Sequence, residues 1–122
     1  MILYKRDRLA YEFAYDVDWR VRMIVFELEH QCAIKGCGVR VTSIIRSSGI
    51  HTKRALDCTF FDLTDYAKND NIGEVMEAHL NGAFEYGLGH DGKVHPTALW
   101  HDVGTGPHLH VQVPDHDLIV RR

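Results

Sequence analysis

The sequence predicts an α+β domain with a mostly antiparallel sheet flanked by helices, and three observations predict it. Apolar residues recur at helical spacing in two separate stretches. Other stretches are rich in β-branched residues or alternate in polarity, as strands do. Along the chain these run helix, strands, helix, strands, an order that places helices over one side of an antiparallel sheet.

From Asp18 to Cys32, Val21, Ile24, Val25, Leu28 and Cys32 form one face, while Arg20, Arg22, Glu27 and Glu29 fill the other. This is an amphipathic helix. The run Lys35-Gly36-Cys37-Gly38 ends it, because glycine takes left-handed or extended backbone shapes at low cost. Val39 to Ile45 reads as a strand, Ser47-Ser48-Gly49 as a turn, and Ala55 to Phe61 as a strand with Ala55, Asp57 and Thr59 on one face. Asn71 caps the second helix with Glu74 at the capping-box position; Ile72, Val75, Met76, Leu80 and Ala83 make its buried stripe. Gly87 to Gly92 reads as a loop. Thr97 to His101 and His108 to Val113 read as a closing strand pair around Gly104–Pro107.

The 122 residues suit one domain spanning 1–122, without repeats or linkers. A net charge of -3 gives no general basic surface for nucleic acid. No stretch reaches the roughly 20 apolar residues of a membrane span. The start, MILYKRDRLAYEF, lacks the pattern of a secretory signal, so the expectation is a chain made for the cytoplasm or released by another route. Cys32, Cys37 and Cys58 cannot all pair within one chain and are expected as buried, reduced thiols.

The chemistry concentrates in two places. In Pro107-His108-Leu109-His110-Val111-Gln112-Val113, strand alternation sends Leu109, Val111 and Val113 to the core and puts His108, His110 and Gln112 on the opposite face. Two solvent-facing histidines are the plainer reading of that pair. In the segment from Ser48 to Asp57, a turn histidine, His51, precedes a carboxylate set between Leu56 and Cys58. Burying such a carboxylate is costly unless a cation or hydrogen bonds compensate it. Zinc suits two histidines and one aspartate and leaves a fourth position for water, which it makes acidic. The alternative is that Asp57 pairs with Arg54 or Arg46 while His51 merely decorates a loop.

The order Thr42-Ser43-x-x-Arg46-Ser47, Gly49-x-His51, Arg54-Ala55-Leu56-Asp57 and His108-x-His110 resembles the D-Ala-D-Ala peptidase and hedgehog-type zinc peptidase superfamily, over residues 17 to 113. That superfamily includes D,D-carboxypeptidases, D-Ala-D-Ala dipeptidases and phage endolysin peptidases. The resemblance implies zinc held by His51, Asp57 and His110, with Arg46 stabilising the oxyanion. It implies His108 as general acid/base and His101 as an additional active-site histidine. The implied substrate is a peptidoglycan stem peptide, met after release or as part of a phage. Two departures stand out: the His51–Asp57 spacing is one residue shorter than in the family and lacks its glycine, and Pro107 stands where some members carry a catalytic Glu. They favour a second reading, a zinc-binding module without catalysis. A third is a different metal enzyme or phosphoesterase built on the HxH pair. Asp102 is expected to cap a turn, and His79 and Trp100 to be structural.

Overall fold

The computed structural model describes residues 1–45, 53–62 and 71–121. In chain order the elements begin β1 (Ile2–Tyr4), α1 (Asp7–Tyr15), α2 (Trp19–Ile34), β2 (Cys37–Ile45), β3 (Ala55–Asp62) and α3 (Ile72–Ala83). There follow β4 (Phe84–Glu85), β5 (Gly87–Leu88), β6 (Val94–His95), β7 (Ala98–Asp102), β8 (Pro107–Gln112) and β9 (Ile119–Val120). Five strands make one sheet in the order β1-β2-β3-β8-β7; β4 pairs with β9, and β5 with β6.

The α+β reading holds. The sheet itself is mixed: β2-β3, β3-β8 and β8-β7 are antiparallel, but β1 joins β2 in parallel, Ile2 opposite Val39. No element before Asp18 is expected from the sequence. β1 is only three residues long; α1 does carry an apolar face, with Leu9 and Phe13 buried four residues apart, but it spans only nine residues. The expected loop at Gly87–Gly92 begins as a strand, Gly87 pairing with His95 and Leu88 with Val94.

Helix α2 buries Val21, Ile24, Val25, Leu28 and Cys32, the five residues its periodicity singles out. The side chain of Asp18 caps it by accepting from the Arg20 amide at 2.9 Å. Helix α3 departs from expectation at two points. Asn71 precedes it without a side-chain cap, its backbone at φ -103° and ψ 13° lying outside the extended region a capping residue uses. Val75 is exposed; Gly73, Met76 and Leu80 are the buried positions.

One sheet face presents Val39, Val41, Leu56, Cys58, Leu109 and Val111, which join α2 and α3 residues in a single core. Strand alternation puts Asp57, His108, His110 and Gln112 on the other face. β2 reaches that face through an irregularity: Val41 sits opposite Cys58, yet Ser43 sits opposite Asp57, so one extra residue is taken up between them. Such a bulge re-aims the following side chain. Without it Ser43 would share the core face with Val41; with it, Ile44 returns to the core opposite Leu56 and Ser43 faces Asp57.

β7 ends the sheet, and α3 serves its free edge. Asn81 donates to the Ala98 carbonyl and accepts from the Ala98 amide, both at 2.9 Å, while Glu77 accepts from the Trp100 amide at 2.5 Å. These side chains stand in for a sixth strand. They need α3 close, and Gly73 permits that: a Cβ there would lie 2.1 Å from the Trp100 ring. Helix propensity alone would favour Gly73→Ala by about 1 kcal/mol. Displacing Trp100 within a packed contact costs more, about 1–3 kcal/mol. Urea denaturation of Gly73→Ala should therefore show a lower midpoint, and an unchanged or raised midpoint would contradict this packing.

Candidate metal centre

Asp57 lies on β3 between two neighbours, Ser43 on β2 and His110 on β8, each directly opposite it. Its Oδ2 accepts from the Ser43 hydroxyl at 3.1 Å, and its Oδ1 lies 2.9 Å from His110 Nδ1. His108 follows on the same strand face, its Nε2 3.8 Å from Asp57 Oδ1. His101 on β7 sits opposite His108, with ring centroids 4.6 Å apart, and 6.2 Å from the His110 ring. Three histidines and one carboxylate thus gather on adjacent strands. They adjoin a cleft of about 350 Å³ walled in part by Thr42, Ser43, Asp57, Thr59, Gly106 and His108.

Hydrogen bonds set the ring nitrogens. The Gln112 amide nitrogen donates to the Pro96 carbonyl at 2.8 Å, so its oxygen is left to accept from His110 Nε2–H at 3.2 Å. With the proton held on Nε2, the neutral ring turns the Nδ1 lone pair toward Asp57. A carboxylate can only accept, so the 2.9 Å contact requires a second proton on Nδ1. Without a metal, then, the site keeps these two groups together by making His110 an imidazolium. The hydrogen bond to Asp57 raises the His110 pKa above its ordinary value. Burial of Asp57 works to raise its own pKa, but the bonds to His110 and Ser43 and the nearby imidazoles outweigh that and leave it lowered. In His108, Nδ1 donates to the Gly106 carbonyl at 3.2 Å, which leaves Nε2 of the neutral ring toward Asp57.

Two donors of one tetrahedral zinc shell, with bonds of about 2.0–2.1 Å, lie about 3.3 Å apart. Asp57 Oδ1 and His110 Nδ1 are close to that spacing, and Gln112 supplies the outer hydrogen bond that orients a ligating imidazole. The third predicted donor, His51, and the predicted oxyanion residue, Arg46, lie outside the described residues. Among the described residues no three His, Cys, Asp or Glu side chains are grouped to hold a metal ion.

The remaining candidates sort plainly. Arg54 is near Asp115, at 3.9 Å, and Asp57 takes histidine partners instead. Asp102 accepts from the Gly104 and Gly106 amides at 2.8 and 3.1 Å, shaping the turn that carries His108. His79 bonds Glu27 at 2.9 Å, and Trp100 packs on Phe60 and the core. All three cysteines are free and buried, and burial pushes the Cys32 and Cys58 thiols up, away from the thiolate a metal would need. Two contributors are not apparent from sequence motifs: Ser43 as a direct partner of Asp57, and Gln112 as the group orienting His110. The break in apolar spacing, Val39 and Val41 but then Ile44, is the signal for the first. Comparison of the chain with protein-family models, curated proteins and solved structures finds no match.

The pairing has a pH signature in the metal-free chain. A lowered Asp57 stabilises above its ordinary pKa of 3.8, and that contribution fades as pH falls through the lowered value. A raised His110 stabilises below its ordinary 6.5, and that contribution fades as pH rises through the raised value. The pair is therefore at full strength between those two ordinary values. Proton NMR should place the His110 midpoint above 6.5, and Asp57→Asn should lower it. A wild-type midpoint at or below the ordinary value would refute the pairing.

Proposed function

We propose that this chain is a zinc-dependent peptidase that hydrolyses peptide bonds in peptidoglycan stem peptides, as the resemblance to the D-Ala-D-Ala peptidase and hedgehog-type superfamily implies. The observation that carries the reading is the Asp57–His110 contact, with Gln112 turning the His110 Nδ1 lone pair toward the carboxylate. A half-buried imidazole and carboxylate that must borrow a proton to stay together are a donor pair suited to a cation. His51 would complete the ligand set. Bound there, zinc would acidify a water molecule and polarise the scissile carbonyl.

The chain's own groups account for the other requirements. Asp57 is the one carboxylate among the described residues lining the cleft, which with Asp57 engaged as a ligand favours histidine as the proton carrier. His108 suits that role, because Gly106 fixes its tautomer and leaves Nε2 ready to accept a proton from water and pass it to the leaving amine. His101, packed edge-on against His108, limits the ring's motion. Arg46 would donate to the oxyanion. Pro107 occupies the position of the family's glutamate, consistent with histidine-based proton transfer.

A zinc-binding module without catalysis is the second reading, favoured by the shortened His51–Asp57 spacing. Incubation with purified peptidoglycan, with chelator and zinc add-back, separates the two. His51→Ala, Asp57→Ala and His110→Ala should each abolish zinc uptake and hydrolysis together. Arg46→Ala and His108→Ala should retain zinc while losing about 10²–10³-fold in turnover. Full activity in either of the last two would remove that residue from the mechanism, and zinc uptake without any hydrolysis by the wild type would select the second reading.

A further inference from the structure

Three cations stand at the rim of the cleft in a chain whose net charge is -3. Lys5 lines the same cleft as Asp57 and His108. A second cleft, also about 350 Å³, adjoins it: Ser43 lines both, and Arg6 and Arg8 line the second. All three cations come from the β1–α1 junction, a segment tied to the sheet through the Lys5 amide, which donates to the Val41 carbonyl at 2.9 Å. Lys5, Arg6 and Arg8 are exposed.

Their charge is incompletely balanced. Lys5 and Arg6 have no carboxylate partner among the described residues. Arg8 Nε donates to Glu12 at 2.7 Å, and the buried Lys53 ammonium lies between Glu12 at 3.1 Å and Asp16 at 3.8 Å, so Arg8 is balanced while Lys5 and Arg6 are not. Glu12 lines the second cleft beside Arg6 and Arg8 and Asp57 lines the first, while Asp7, in the first turn of α1, lines neither.

We infer that Lys5 and Arg6 form a subsite for a carboxylate of the peptide substrate. The inference rests on the proposed peptidase reading for the word substrate, but the binding itself does not require catalysis. A peptide lying over Asp57 and His108 would extend past Ser43 and bring an anionic group to these two cations. Charge-assisted hydrogen bonds from lysine and arginine are the strong polar contacts available to a carboxylate. The carboxylate can come from a free chain terminus or from an acidic side chain, and the two are distinguishable.

The test uses the full chain, metal-free, with three probes: acetyl-Ala-Ala as the free acid, acetyl-Ala-Ala amide, and acetyl-Ala-Glu amide. Binding is read from the NMR amide signals of Thr42, Ser43 and Thr59. At low salt the wild type should bind one or both acids about tenfold more tightly than the neutral amide. Which acid wins identifies the source of the carboxylate. Lys5→Met combined with Arg6→Gln, both at exposed positions, should bring acid and amide within about twofold while leaving the spectrum dispersed, since a neutral side chain keeps only the weaker contacts. Equal binding of all three probes by the wild type, binding of none, or an acid preference that survives in the double variant would overturn the subsite. Loss of zinc or of hydrolysis would count against the peptidase reading alone, because neither enters this measurement.

Discussion

A carboxylate on an inner strand is the constraint around which the molecule is arranged. Asp57 has a strand on each side, so its oxygens meet Ser43 from β2 and His110 from β8 at the wall of the cleft. Desolvation alone would favour the protonated acid, and the partners reverse that preference. The β2 bulge, the HxH alternation on β8 and the Gln112 bond to Pro96 all act on the same few atoms. Remove any of them, and a half-buried charge loses part of its compensation.

The scaffold around this centre is divided by sheet face. The core side is aliphatic, with Leu56, Leu109 and Val111 fully buried against α2 and α3. The polar side carries the histidines, so the strands that are hardest to deform are those that hold the reactive groups. Helix α3 contributes indirectly. By bonding the β7 backbone through Asn81 and Glu77 it steadies the strand that presents His101 to His108.

Much of this is legible in the sequence because strand alternation is a strict rule. The face shared by His108, His110 and Gln112 follows from a period of two, and the α2 stripe from 3.6. The features that are not legible depend on pairings between distant segments. β1 gains its definition only from β2, since three residues carry no period of their own. The capping role expected of Asn71 fails on backbone geometry, which residue type does not dictate. Ser43 needs the bulge, and Gln112 needs Pro96; both are relations between strands, invisible to a motif read along one. The histidine and arginine expected at 51 and 46 lie outside the described residues, so those two positions rest on the resemblance, while Asp57 and His110 are in contact in the structure.

The central claim is that Asp57 and His110 share one cation in place of one proton. Zinc titrated into the chain, followed by calorimetry in buffers of different ionisation enthalpy, reports the protons released per metal bound. The account predicts uptake of one zinc with a proton released from His110 at mildly acidic pH, the release fading as pH rises through the raised His110 value. Failure to take up zinc, or uptake whose proton release is the same in Asp57→Asn, would contradict it.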